Sequence, residues 1–135
     1  MSTKNVELVL EKFSSMAAGD LERYFSVLSE DIEFIEPGSL PYGGVYRGHS
    51  GVRDLHAQSG SLWEDLRFDV LETFDAGNTV FVKARLRARG IATGVQLDEV
   101  MVYLARVKDG KIGSVEIYFD TVRICEALGT VQTIS

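Results

Sequence analysis

Apolar residues recur at helical spacing near the start of the chain. Val6, Val9, Leu10, Phe13 and Ala17 make one stripe on a helix predicted over about Lys4 to Ala18. Gly19 stops it, and Asp20 can cap a second helix over Leu21 to Leu28. Ile32 and Phe34 then read as a short strand, ended by Pro37-Gly38. The segment from Pro37 to Gly48 is rich in Gly, Pro and Tyr and reads as the longest irregular loop, a kind of segment that often carries sites. Ser50 opens a third helix with an inner stripe of Val52, Leu55, His56, Ser59 and Leu62.

After Trp63 the period changes from helical to alternating. Four strands are predicted, over Leu66 to Phe74, Thr79 to Arg89, Val95 to Val107 and Lys111 to Phe119. Turn-like joins separate them: Asp75-Ala76-Gly77, Gly90 to Gly94 and Asp109-Gly110. A short helix, Thr121 to Leu128, follows, with Asp120 or Thr121 as its cap. No repeat, linker or low-complexity run interrupts residues 1–135, so one domain is expected. The order predicts an α+β fold, a curved antiparallel sheet with helices on one face.

Turn lengths set register, and register sets faces. Asp109-Gly110 as a two-residue turn places Val107 with Ile112, Tyr103 with Glu116 and Glu99 with Asp120. The apolar face then carries Val100, Val102 and Leu104 beside Val115, Ile117 and Phe119, with Val80, Val82, Ala84, Leu86 and Ala88 on the preceding strand. A three-residue Asp75-Ala76-Gly77 loop adds Phe68, Val70 and Phe74 to that side. The other face is mixed, with Arg85 across from Glu99. Phe81, Met101, Tyr103 and Tyr118 also fall there, which predicts a homodimer interface. The alternative is a solvated, salt-bridged surface whose exposed pairs each stabilise by at most about 1 kcal/mol.

Composition narrows the function classes. The chain has 135 residues, 45% apolar and 25% charged, which are soluble globular values. Roughly two-thirds of the extended surface can be buried at this size, enough for a core with an internal pocket. The net charge of -6 argues against nucleic-acid and anionic-membrane partners, which need clustered positive charge. No stretch is long and apolar enough to span a bilayer, and Met1 to Glu11 lacks the pattern of a secretory signal. Cys125 is the single cysteine, so neither an internal disulfide nor a cysteine-based zinc site can form, and the cytoplasm is the expected compartment. His49 and His56 are the only histidines, too few for a three-histidine metal site, and no phosphate-binding glycine motif occurs. No metal or cofactor is expected.

The phrases GDLERYFSVLSEDIEFIEPG, YGGVYRGHSGVRDL and DGKIGSVEIYFDT resemble the nuclear transport factor 2-like superfamily, and within it SnoaL-like domains related to polyketide cyclases, ketosteroid isomerases and limonene epoxide hydrolases. The resemblance covers nearly the whole chain. It implies a cone, with a curved sheet wrapped on helices around an apolar pocket open at one end, and dimers formed through the sheet. It also implies a role for Glu36, which stands just before Pro37 where the isomerases carry their general-base aspartate. The isomerases' oxyanion-binding tyrosine falls at Lys12, and their second acid falls near Val102 or Leu104. Ile117 stands where the cyclases and epoxide hydrolases place an acid.

A carboxylate in an apolar cone resists ionisation, so Glu36 is the candidate base; the alternative is a solvated glutamate at the cone mouth. His56, where close isomerase relatives place a tyrosine, is the candidate proton donor or a satisfied core histidine. Tyr42 and Tyr46 can stack on a flat ligand at the rim or simply pack the loop. The expected pocket lining is Val82, Val100, Val102, Ile117 and Phe119. Tyr24 and Trp63 read as core, Asp98 as exposed and Asp120 as a helix cap. The expected ligand is a small hydrophobic carbonyl, steroid- or polyketide-like. The function classes left open are an acid–base enzyme using Glu36, a non-catalytic binding module and a protein-interaction domain.

Overall fold

Thr3 starts the first helix by accepting a hydrogen bond from the Val6 amide, 3.2 Å away. The computed structural model describes residues 3–130. Helix α1 spans Lys4–Ala17 and α2 spans Leu21–Ser26, capped by Asp20 through the Arg23 amide. Strand β1 runs over Leu28–Glu36, β2 over Gly44–Arg47 and helix α3 over Gly48–Leu62. Strands β3 (Trp63–Ala76), β4 (Thr79–Gly90), β5 (Gln96–Lys108) and β6 (Lys111–Tyr118) follow, then α4 (Thr121–Leu128). Asp120 caps α4 by accepting from the Val122 and Arg123 amides.

The six strands form one sheet in the order β2-β1-β6-β5-β4-β3. Every neighbouring pair is antiparallel except β1 and β6, which run parallel. The expected antiparallel sheet therefore contains one parallel join. Strand β2 lies inside the segment read as a loop. It is four residues long and has no buried position, so no alternation announced it. Leu28, expected at the end of α2, begins β1 instead.

Two irregularities curve the sheet and decide its faces. The Asp109-Gly110 turn has positive φ at both residues, as a two-residue hairpin turn requires, and it pairs Lys108 with Lys111 and Val107 with Ile112 as expected. A bulge then leaves Gly113 unpaired, and the next pair is Arg106 with Ser114. One extra residue reverses every face beyond it. Tyr103 therefore pairs with Ile117, not Glu116, and Met101 and Tyr103 point into the core. Val100 and Val102, expected inside, are 48% and 42% exposed on the outer face. On β4 the expected inner set, Val80, Val82, Ala84, Leu86 and Ala88, is buried.

Strand β3 carries its own register shifts, between Glu64 and Arg67 and between Val70 and Glu72. The turn after it is Gly77-Asn78, with Ala76 paired to Thr79, so no three-residue loop forms. Phe68 and Val70 pack against the core, but Phe74 pairs with Phe81 and is exposed. Arg85 ion-pairs with Asp98 at 2.7 Å, where Glu99 was expected across from it. Helix α4 lies against the end of β4. A Cβ on Gly90 would stand 2.0 Å from the Ala127 carbonyl oxygen, so only glycine fits there. Among the described residues no helix is long and apolar enough to cross a membrane.

Candidate functional site

Strand parity aims the principal candidate. Ile32, Phe34 and Glu36 are buried on alternate positions of β1, so Glu36 continues the inward row at the strand's last residue. Its neighbour Pro37 ends the strand. Glu36 is 8% exposed, and its Oε2 has no hydrogen-bond partner among the described residues. Burial pushes its carboxyl up to about 8, and the Lys12 charge opposes that shift only in part.

Glu36 lines two adjoining hollows. One, of about 60 Å³, is walled by Lys12, Phe34, His56, Tyr103 and Ile117, with Phe68 and Leu66 among its other neighbours. The other, of about 40 Å³, is walled by Tyr42, Trp63, Met101, Ile117 and Phe119. Among the described residues Glu36 is the only carboxyl group in either wall. A much larger open groove, about 880 Å³, lies at the opposite end of β1 among Glu30, Asp31, Arg106, Lys108 and Lys111. Those are exposed charged side chains, and the groove holds none of the pocket candidates.

Lys12 was not among the candidates. Its Nζ stands 4.6 Å from the Tyr103 ring centre, 4.9 Å from Phe13, 5.1 Å from Tyr24 and 5.4 Å from Phe34. It is 2% exposed, and no ion pair joins it directly to Glu36. Burial pulls its amine down to about 7, against the opposing pull of the Glu36 charge. The sequence signal was present: Val9, Lys12, Phe13 and Met16 stand at i, i+3, i+4 and i+7, one face of α1. Tyr103 is the second addition. It shares the inner row of β5 with Ala105 and Val107, where the Gly113 bulge brings Ile117 in beside it; its hydroxyl has no partner among the described residues, and burial raises its pKa well above the usual phenol value.

His56 reaches the same pocket but does not touch Glu36. Its Nε2 lies 2.8 Å from the Tyr24 hydroxyl. Burial first, and the Lys12 charge second, pull its pKa down to about 4, so the ring is neutral at physiological pH. Burial also raises the Tyr24 pKa, so that phenol keeps its proton. His56 is thus a tyrosine-held imidazole that burial keeps neutral, and no hydrogen bond joins it to Glu36 among the described residues.

The expected lining divides. Ile117, Phe119 and Tyr42 wall the hollows. Tyr42 is buried, its hydroxyl accepts from Trp63 Nε1 at 3.2 Å, and burial raises it to about 12. Tyr46 donates to the Tyr42 carbonyl and lines neither hollow, so it braces the loop. Val82 is fully buried and also lines neither hollow. Val100 and Val102 are corrected outright, since the bulge turns both to the outside. His49 bonds the Leu28 carbonyl, and Cys125 Sγ lies 3.6 Å from the Ser39 carbonyl. Among the described residues no cluster of three or more His, Cys, Asp or Glu could hold a metal ion.

Comparisons with known proteins point the same way as the geometry. The profile of the SnoaL-like domain matches residues 9–115. A nuclear transport factor 2-like protein from Burkholderia xenovorans is 30% identical, with a TM-score of 0.82 over 95% of this chain and 98% of that one. TerC, solved with polyporic acid, is 25% identical, with a TM-score of 0.86 over 94% of this chain and 99% of its own. A peptidyl-tRNA hydrolase from Delftia acidovorans is 39% identical over 56 residues. That stretch takes in 36% of this chain and spans only 27% of the hydrolase, and it carries no activity across.

Proposed function

Because the chain belongs to the SnoaL-like domain family, and because Glu36 turns an unpartnered carboxyl oxygen into a buried pocket, we propose that it binds a small, largely apolar carbonyl compound and moves a proton on it. Glu36 is the acid–base group in this reading. A carboxyl with its pKa pushed up to about 8 is protonated at neutral pH and can donate to a carbonyl oxygen. Once deprotonated, it is a stronger base than an ordinary glutamate. Tyr103 and Tyr24 keep their protons, and the Tyr103 hydroxyl is free to bond a ligand oxygen. The observation that carries the reading is the orphaned Glu36 Oε2, since a buried polar atom without a partner in a pocket suits an incoming polar group. The polyporic acid seen with TerC supports a ligand that combines flat apolar surface with oxygens.

The test is exchange of ligand α-protons. Small cyclic ketones, enones and polyporic acid are screened for binding by ligand-observed NMR in heavy water. Binders are then followed for loss of their α-proton signals. Glu36→Gln keeps the shape and cannot accept the proton, so binding should persist while exchange falls by on the order of 10²-fold or more. A second reading, a non-catalytic binding module, is favoured by Glu36 being the only carboxyl in the pocket walls among the described residues. Binding without exchange in the unaltered protein would select it.

We also propose a homodimer through the outer sheet face, with its centre moved from the expected position. Met101 and Tyr103 are inside, leaving Phe81 and Tyr118 from the expected set. Phe74 pairs with Phe81, Phe81 with Leu104, and Val102 with Tyr118, so these side chains form one continuous patch beside Val100. Ion pairs of Arg85 with Asp98, Arg87 with Asp69 and Arg106 with Glu116 rim it. An apolar centre with a charged rim is the usual anatomy of an interface. The cytoplasm is the proposed compartment, since one unpaired cysteine needs no oxidising surroundings.

A further inference from the structure

Acid–base chemistry by Glu36 leaves the strangest side chain in the pocket without a task. Lys12 is almost fully buried, and its amine makes no ion pair or hydrogen bond among the described residues, enclosed by four aromatic rings. A lone ammonium in such a place is costly, and apolar packing could have been had with a leucine. Its surroundings are specific. Glu36 approaches from β1, the neutral His56 from α3, Tyr24 from α2 and Tyr103 from β5. The rings cannot hydrogen-bond the amine strongly enough to tie up its lone pair. Their π faces stabilise a cation that forms at the same place.

We propose that Lys12 is a covalent catalytic amine, condensing through Nζ with the aldehyde or ketone carbonyl of the ligand to form an iminium ion inside the aromatic cage. This rests on the reading of Glu36 as the acid–base group acting on a carbonyl compound. The neutral amine attacks the carbonyl carbon. The C–N bond forms, the carbonyl π pair moves to oxygen, and one N–H proton passes from nitrogen to that oxygen, which becomes the hydroxyl of a carbinolamine. The Glu36 carboxyl then gives its proton to that hydroxyl. The C–O bond breaks, water leaves, and the nitrogen lone pair completes the C=N bond. One amine, one carboxylic acid and one carbonyl compound become one iminium, one carboxylate and one water, with charge and atoms conserved. Burial of both groups keeps amine and acid neutral together near pH 7, the pair of states this step requires. The step also leaves Glu36 as a carboxylate beside an activated α-carbon, ready to take the α-proton and give an enamine. Water returns by the reverse route to release the ligand.

Reductive trapping tests the proposal on the whole protein. Cyclopentanone is added at pH 7 with cyanoborohydride, which reduces an iminium to a stable secondary amine. Peptide mass mapping then locates adducts, each heavier by the mass of the ketone less one oxygen. Lys12 should be labelled on the order of tenfold or more faster than the exposed Lys4, Lys83, Lys108 and Lys111, which stand in water with no aromatic cage around them. Its labelling rate should level off above about pH 7. No label at Lys12, or label no faster there than at Lys83, overturns the inference without any variant having to fold. Lys12→Met separates it from the Glu36 reading. If α-proton exchange vanishes in both Lys12→Met and Glu36→Gln, both stand. Exchange that survives Lys12→Met but not Glu36→Gln sinks the imine and keeps Glu36. Trapping at Lys12 with exchange unaffected by Glu36→Gln keeps the imine and sinks Glu36.

Discussion

Glu36 and Lys12 share one electrostatic problem. Each is nearly dry, each would be cheaper to keep neutral, and each lowers the other's cost of being charged. Removing one partner should therefore push the other further from its ordinary value. A carboxyl titration by NMR should find Glu36 in the unaltered protein near 8, against an ordinary value of 4.5. In Lys12→Met the same signal should move higher still, because the attraction that favours the carboxylate is gone. A Glu36 that titrates at its ordinary value, or that moves down in Lys12→Met, would show that the two do not face one pocket. His56 plays a different part. Its bond with Tyr24 fixes the ring, and Tyr24→Phe should cost roughly 1–2 kcal/mol in urea unfolding by leaving a half-buried nitrogen unpaired.

At the scale of elements the Gly113 bulge is the decisive feature. Inserting one alanine after Gly113 would pair Arg106 with the new residue and Tyr103 with Glu116, the register that the two-residue turn alone implies, and would turn Val115 and Ile117 outward. Such a change exposes two core side chains and unpairs the site, so loss of a cooperative thermal transition by circular dichroism is expected. Gly113→Ala is the control. Its Cβ would stand 3.6 Å from the Lys108 Cβ, an ordinary contact, so the cost should stay within about 1 kcal/mol. An insertion variant as stable as the alanine variant would mean the bulge does not set the faces. This element also marks what was legible in the sequence. Alternation and turn residues located β3 to β6 and the inner row of β4, because those signals are local. A bulge is settled by which alternative buries more apolar surface across two strands, and nothing local at Gly113 announces it. Glu36 came from the resemblance to the isomerases, and its place two residues after Phe34 on β1 carries the same inward signal. Lys12 was hidden by its own charge, since a lysine on an inner helical face reads as a break in the stripe. Tyr103 was hidden by the bulge.

At the scale of the whole molecule two faces of one sheet are set against different surroundings. The outer face should hold the dimer. Val100→Glu with Val102→Lys places charge in the middle of the patch while leaving the core untouched, because both side chains already face out. Light scattering at micromolar concentration should give a dimer for the unaltered chain and a folded monomer for the double variant. A monomer in both would end the interface proposal. The inner face should show itself in the pH dependence of stability. Lys12 is lowered from 10.5 to about 7, so between those values the unfolded chain holds a proton that the folded chain has lost. Stability rises with pH wherever the unfolded state binds more protons. Glu36, raised from 4.5 to about 8, works the other way, holding a proton in the fold that the unfolded chain has released, so its contribution falls with pH until about 8. Between about 7 and 8 the two cancel. Above 8 only the Lys12 effect remains, until the raised tyrosines begin to oppose it near pH 10, where unfolded phenols ionise. Urea unfolding of the unaltered protein and Lys12→Met should therefore differ by an amount that grows between pH 8 and 9.5 in favour of the unaltered chain. The slope should approach 1.4 kcal/mol per pH unit, the value of one proton. A difference that stays flat through that range would mean that Lys12 keeps its proton in the fold. The amine would then be a structural cation held by its rings and could not act as a nucleophile at neutral pH.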